Sequence, residues 1–478
     1  MLFNSIEFLV FLPTVFFLYW FCCGKNVKAQ NLLILLSSYI FYGWWDYRFL
    51  SLIIISTIVD YLTGLAIYRS SKNGWKKFFL FLSLFTNLSI LGFFKYFNFF
   101  IDSWLNVLSL FGYASENLWT LNVILPVGIS FYTFQTMSYS LDIYRKDMKP
   151  IKDFIAFASF VSFFPQLVAG PIERAKALLP QIEKPRNFDY YQAIVGVRLI
   201  VWGMFKKVVI ADSLARYVDI FYANPNDYMG LPTIVAMIFF TFQIYCDFSG
   251  YSDIAVGTAR LFGIKLNRNF NVPYISSNFT EFWKRWHISL SSWFRDYVYI
   301  SLGGNRVGKI KNYRNLITTF IVSGLWHGAN YTFIVWGAIH GILLILEKSF
   351  QDLKIKMTLN KYFKIAITFF ITNITWVFFR SKDVNQALTV LSNSIKINTD
   401  LNSIVFSFRG FGIDSFELIT MFLLIALVVV IEFFESYFKS IKKIQLPYIQ
   451  FIWIQILIFF ILFFATKGEL KNFIYFQF

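Results

Sequence analysis

Histidine and cysteine are both scarce in this sequence, with three of each among 478 residues. The cysteines lie in or beside apolar runs, so the sequence predicts neither a disulfide framework nor a cysteine-based metal site. Charge is scarce too: 15% of the residues are charged, whereas 57% are hydrophobic. A soluble domain carries about 25% charged residues. The composition therefore excludes a sizeable soluble domain.

Apolar runs near the length of about 20 residues that spans a bilayer recur from end to end. They predict an all-α, polytopic membrane protein with roughly ten to twelve transmembrane helices, forming a single domain over residues 1–478. A shorter run, 154–169, has the length of a re-entrant helix. The predicted spans are 6–23, 31–45, 49–68, 78–100, 121–141, 194–211, 231–249, 315–346, 363–379, 416–434 and 448–466.

The net charge is +17, and the basic residues cluster in loops between these runs. The loops 69–77 and 142–153 are basic, whereas the loop between them, 102–120, holds only two charged residues, both acidic. The positive-inside rule places the two basic loops in the cytoplasm. We expect Lys206 and Lys207, which follow an apolar run, to snorkel to the membrane interface. The positive charge thus indicates membrane topology, and we predict no nucleic-acid partner.

All three histidines lie within one window, residues 281–340. Histidine is the usual proton carrier in catalysis, because its ordinary pKa lies near physiological pH. His327 stands beside Trp326 in GLWHG, inside a long apolar run, and an ionisable group at membrane depth is a hypothesis of function. We therefore predict that His327 is the centre of the chemistry. We also expect Gly324 and Gly328 to leave space for a tunnel beside its ring.

The other two histidines have different surroundings. His287 lies in another segment and is free to approach His327 across a helix interface. If residues 315–346 form one helix, His340 follows His327 by thirteen positions and points about 220° away, so we predict a packing role for it. The spacing of the three, without a nearby cysteine pair, matches no metal site.

Two aspartates, Asp247 and Asp253, lie in and just beyond an apolar run, in the motif DFSGYSD. Buried carboxylates need partners, and Arg260 and Lys265 are near in sequence. A structural ion-pair network and a role in catalysis both remain open for this pair.

The sequence contains no nucleophile elbow, P-loop or Rossmann glycine fingerprint. On the residues alone, the histidines predict a membrane-embedded acid/base site of unknown substrate. A proton-coupled transporter explains the same residues nearly as well.

Five motifs in the sequence, considered together, are specific. They are FFPQLVAGPI (163–172), DFSGYSD (247–253), NFNVPY (269–274), EFWKRWHISLSSWFRDYVYISLGGNR (281–306) and GLWHG (324–328). Through these motifs, in matching order, the chain resembles the membrane-bound O-acyltransferase family, in the bacterial branch that acylates polysaccharides. The resemblance implies a funnel-shaped, all-helical fold with a central tunnel that joins the two faces of the membrane. It implies that His327 is the catalytic residue and that His287 is the second functional position.

The activity implied by this resemblance is acyl transfer across the cytoplasmic membrane, and we predict O-acetylation of a cell-surface or secreted polysaccharide. The donor is a cytosolic thioester, either an acyl-CoA or an acyl-carrier protein, and no bound cofactor or metal is expected. Transfer of D-alanine to teichoic acid and transport without covalent chemistry are the alternatives. The partners implied are an extracytoplasmic SGNH-type acyltransferase, the cytosolic donor or carrier protein, and membrane lipid.

Further residues are assigned to the substrate path or tunnel. Lys284 and Arg285 suit the phosphates of a donor, and His287 beside them is placed to orient the acyl group or stabilise an oxyanion. The full set of predicted path residues is Lys284, Arg285, Trp326, Asp247 and Asp253.

The tail NFIYFQF (472–478) has two interpretations. It is either an interfacial aromatic anchor or an acyl carrier. It resembles the terminal aromatic motif of the small partner peptide in D-alanylation systems, and that resemblance implies that Tyr475 accepts the acyl group and passes it on. The second interpretation requires an extracytoplasmic carboxyl terminus and a tail that folds back into the tunnel.

Overall fold

A computed structural model of the chain describes residues 1–112, 120–121, 123–168, 170–354, 359–396, 408, 410, 412–438, 447–465 and 473–476. Across these ranges the ordered elements are helices, and they contain no β-strand. The α-helices are α1 (Ile6–Phe17), α2 (Val27–Asp46), α3 (Leu50–Arg69), α4 (Asn73–Leu91), α5 (Phe97–Leu110), α6 (Ile129–Tyr144), α7 (Phe154–Ser162), α8 (Phe164–Leu167), α9 (Ala175–Glu183), α10 (Tyr190–Met204), α11 (Asp212–Ala223), α12 (Leu231–Leu261), α13 (Phe279–Arg285), α14 (Ile288–Phe294), α15 (Lys309–His327), α16 (Tyr331–Asp352), α17 (Lys361–Arg380), α18 (Val384–Ser394), α19 (Ser415–Phe438) and α20 (Pro447–Ala465).

Short π-helical and 3₁₀ turns extend or join several of these helices. The π-helical turns are Leu18–Cys22, Gly92–Tyr96, Phe205–Ala211 and Arg295–Tyr299, and the 3₁₀ turns are Tyr47–Phe49, Pro225–Asp227, Pro273–Ile275 and Ile474–Phe476.

Six helical stretches among the described residues are long and apolar enough to cross a membrane. Three shorter apolar helices accompany them: Ile6–Cys22, Phe154–Leu167 and Phe451–Ala465. The prediction of an all-α, multi-pass membrane protein is therefore confirmed, whereas the number of crossings stays a prediction. The six long stretches are Val27–Arg69, Asn73–Leu110, Leu231–Leu261, Tyr331–Asp352, Lys361–Arg380 and Ser415–Phe434.

The chain forms two compact units. The first contains Met1–Leu199 and Ile254–Asn267, and the second contains Ile200–Asp253 and the chain from Arg268 onward. Helices α10 and α12 each contribute residues to both. Every predicted site residue belongs to the second unit, and the single-domain organisation stays a prediction.

Three predicted segments differ in detail. The run 121–141 becomes helical only from Ile129, where α6 begins. The run 315–346 is not one helix, because α15 ends at His327, and Asn330 starts α16 by accepting the Thr332 amide at 2.9 Å. Gly328 between them is extended, which ends the helix at the catalytic candidate. The run 231–249 continues as helix to Leu261, so DFSGYSD is helical throughout.

Candidate active site

His287 occupies the junction between α13 and α14, and its backbone is left-handed, with φ +41°. A non-glycine residue in this region carries strain of about 1–3 kcal/mol, and such residues cluster at functional sites. The conformation is held by the amide of Ile288, which donates to the Asn269 carbonyl at 2.9 Å. The His287 side chain is fully buried. The junction therefore fixes the imidazole inside the second unit.

His327 is the last residue of α15, and its side chain is also buried. Helices α15 and α16 pack closely here, because a methyl group at Gly324 would lie 2.2 Å from the Phe333 carbonyl oxygen. A methyl group at Gly328 would lie 2.0 Å from the Phe333 ring. The expectation that these glycines leave space beside the imidazole is therefore wrong, since they admit Phe333 and α16 instead. The tunnel and the funnel shape stay predictions.

The two histidines and the tail tyrosine come together. The ring of His327 lies 6.4 Å from that of His287 and 5.6 Å from that of Tyr475, measured between centroids. Trp326 lies 5.0 Å from His327 and 6.1 Å from His287. Phe248 bridges the group, at 4.6 Å from His287 and 4.7 Å from Tyr475. Two further aromatic residues, which the sequence did not single out, contact His327. The ring centroids of Trp336 and Phe379 lie 5.1 and 5.2 Å from that of His327.

Asp247 connects this group to the tail. Its Oδ2 accepts the backbone N–H of Ile474 at 2.6 Å, and its Oδ1 pairs with Lys207 Nζ at 2.7 Å. Lys207 also pairs with Asp212, at 2.8 Å. The carboxylate of Asp247 therefore lies between a buried ammonium group and the main chain next to Tyr475.

Asp253 belongs to a neighbouring charge cluster. Its Oδ2 lies 2.7 Å from Lys206 Nζ, and Glu432 lies 3.5 Å from the same nitrogen. Glu432 also accepts a hydrogen bond from the Tyr245 hydroxyl. Lys206 is 2% exposed. Asp253 is thus an ion-pair residue, and its predicted place in the substrate path has no support from these contacts.

These contacts correct two predictions. Lys206 and Lys207 do not extend to the protein surface as snorkelling side chains do; they are buried in the π-helical turn Phe205–Ala211. Arg260 is not the partner of Asp247, because thirteen residues of continuous helix separate the two by about 20 Å. The Arg260 guanidinium instead donates to Gln192 at 2.7 Å.

The other three residues considered from the sequence have different surroundings. Arg285 forms an ion pair with Glu281 at 2.8 Å and donates to the Asn271 carbonyl at 3.2 Å. Lys284 is exposed. His340 is buried, and its Nε2 lies 3.1 Å from the Thr375 hydroxyl. The surroundings of His340 are those of a packing residue.

Known proteins match the chain over most of its length. The sequence profile of the membrane-bound O-acyltransferase family matches residues 39–382. A peptidoglycan O-acetyltransferase of Helicobacter pylori is 37% identical over 429 residues, covering 83% of this chain and 80% of that protein. The probable alginate O-acetylase AlgI of Pseudomonas aeruginosa is 42% identical over 389 residues, covering 81% and 73%. A teichoic acid D-alanyltransferase of Bacillus subtilis is 31% identical over 245 residues, covering 48% and 60%.

The profile covers well over half of the chain and includes His287 and His327. The chain belongs to the membrane-bound O-acyltransferase family.

Proposed function

We propose that the chain transfers an acetyl group from a cytosolic thioester, across the cytoplasmic membrane, for O-acetylation of a cell-surface or secreted polysaccharide. The observation that carries the proposal is the meeting of His327, His287 and the Tyr475 phenol among buried aromatic rings. Two relatives that match more than four fifths of the chain are named an O-acetyltransferase and a probable O-acetylase, and these names favour acetyl over D-alanyl. The D-alanyltransferase relative matches less than half of the chain.

In the proposed reaction His327 acts as the general base. It takes the proton of the Tyr475 hydroxyl as the phenolate oxygen attacks the thioester carbonyl. The carbon–sulfur bond breaks, an O-acetyl bond forms on Tyr475, and the proton passes from His327 to the departing thiolate. His287, held next to His327, orients the acyl group or stabilises the oxyanion.

The acetyl group then leaves Tyr475 for a sugar hydroxyl. We propose that a partner of the extracytoplasmic SGNH type catalyses this second transfer, which restores the phenol proton. A phenol has an ordinary pKa of about 10, below that of a sugar hydroxyl, so its ester lies between a thioester and a sugar ester in transfer potential. Each step therefore runs downhill.

Purified protein in liposomes tests the first transfer. Given acetyl-CoA labelled in the acetyl group, the protein should release free thiol in a burst that stops when the tail is loaded. Mass spectrometry of the C-terminal peptide should then find one acetyl group on Tyr475. If the protein leaves acetyl-CoA intact but consumes a D-alanyl thioester, the transferred group is D-alanyl and not acetyl. Thiol release without acetyl on the tail would refute the relay.

A further inference from the structure

We infer that the segment Asp247–Tyr251 of α12 is a docking site for the chain's own tail, residues 473–476, and that it binds the tail through the main chain. The inference gives the proposed relay its positioning element, and to that extent rests on the proposed function. The docking contact itself exists without any transfer and is tested separately.

The polar part of the docking site is a buried carboxylate. Asp247 is 3% exposed and accepts the amide of Ile474 at 2.6 Å. A hydrogen bond to a charged group contributes about 10- to 100-fold to such an equilibrium. Because the donor is a backbone group one residue before Tyr475, this bond fixes the position of the main chain, and the Tyr475 ring lies 5.6 Å from that of His327.

The apolar part consists of aromatic rings on the same face of α12. Phe473 is fully buried, 4.6 Å from the ring of Tyr251 and 5.6 Å from that of Phe248. Phe248 also contacts Tyr475 and His287. Asp247, Phe248 and Tyr251 are at positions i, i+1 and i+4, which share one side of a helix. One helix face therefore holds the tail on both sides of its hydrogen bond.

Gly250 explains how the carboxylate is braced. A methyl group there would lie 2.7 Å from the carbonyl oxygen of Gly203 and 3.2 Å from the amide nitrogen of Lys207. Only a residue without a side chain lets α12 approach the π-helical turn this closely, and that approach brings Lys207 to Asp247. Lys207 is held in turn by Asp212. The Asp247 carboxylate is thus fixed in place before the tail arrives.

Hydrogen–deuterium exchange of the C-terminal peptide in the full-length protein tests the docking. Asp247→Asn keeps the size of the side chain but removes its charge, and we expect the tail amides to exchange about 10- to 100-fold faster. Asp253→Asn is the matched control, because Asp253 lies on the same helix as Asp247 and also pairs with a buried lysine, Lys206. It should leave the exchange of the tail unchanged.

A second pair of variants changes the tail and leaves the core intact. Ile474→Pro removes the N–H donor at the first residue of a 3₁₀ turn, where proline is tolerated. It also shortens the buried Ile474 side chain, and Ile474→Val controls for that loss. Ile474→Pro should release the tail as Asp247→Asn does, whereas Ile474→Val should not. If Asp247→Asn and Ile474→Pro both exchange like wild type, the docking site is refuted, even where acetyl transfer proceeds. If both release the tail but wild type consumes no thioester, the docking stands and the proposed function fails.

Discussion

Replacing His327 by glutamine separates its chemical role from its packing role. The imidazole is 2% exposed and enclosed by the rings of Trp326, Trp336, Phe379 and Tyr475. Alanine would leave a cavity, and large-to-small changes in a core cost about 2–5 kcal/mol of stability. Glutamine fills much of that volume and is not a base. It therefore isolates the proton transfer.

The expected loss follows from the role of a general base, which contributes about 10²–10⁴ in rate. That loss equals about 2.7–5.4 kcal/mol of activation free energy. The assay measures the initial rate of thiol release from acetyl-CoA by protein in liposomes, with the same amount of folded protein for each variant. Thermal denaturation is followed in parallel. His327→Ala should lose transfer too, with a lower denaturation temperature than His327→Gln.

His340 provides the matched control, because it is an equally buried histidine on the adjacent helix, bonded to Thr375. His340→Gln should lower stability and keep transfer per folded molecule close to wild type. Transfer by His327→Gln above one tenth of wild type, or loss of transfer in well-folded His340→Gln, would refute the assignment of the base.

Three further predictions concern the surrounding residues. Tyr475→Phe keeps the ring and removes the hydroxyl, so acylation of polysaccharide in cells should fall to background; normal acylation would make the tail an anchor. His287→Ala and His287→Gly should both lose transfer, but glycine relieves the left-handed backbone and should denature at a higher temperature than alanine; equal transfer by wild type and His287→Gly would remove His287 from the site. Lys206→Met leaves the buried carboxylate of Glu432 and the half-buried carboxylate of Asp253 without their cation, which costs about 3–5 kcal/mol; adding Asp253→Asn should recover part of the lost thermal stability, and no recovery would mean that the pair is not coupled.

Composition and hydropathy predict most of the helices, because an apolar run of sufficient length has few other ways to satisfy its backbone in a bilayer. The run 363–379 is α17, and 416–434 lies within α19. The histidine pair was also within reach of the sequence, since His287 and His327 are ionisable groups in apolar surroundings. The aromatic residues around His327 could not be predicted, because nothing in the sequence distinguishes Trp336 and Phe379 from the many other aromatic residues of the chain.

Ion pairs between residues far apart in the sequence could not be predicted from it. Lys206 and Lys207 follow an apolar run, a position that usually lies at the interface. Their true partners, Asp247 and Asp253, lie some forty residues on and are revealed only by how α12 packs against the π-helical turn. Nearness in sequence suggested Arg260 instead, which the length of α12 places about 20 Å from Asp247.

The burial of Phe473 and Ile474 affects the kinetics of loading. In the proposed relay the acceptor, Tyr475, is covalently part of the enzyme, so its encounter with His327 is intramolecular and proceeds at an effective concentration that dilution cannot lower. The rate of loading per enzyme molecule should therefore depend on the donor concentration, not on the enzyme concentration, and should not respond to phenols added from outside. Because the Tyr475 ring already lies against His327, the proposed cycle waits first for the thioester and then for departure of the loaded tail.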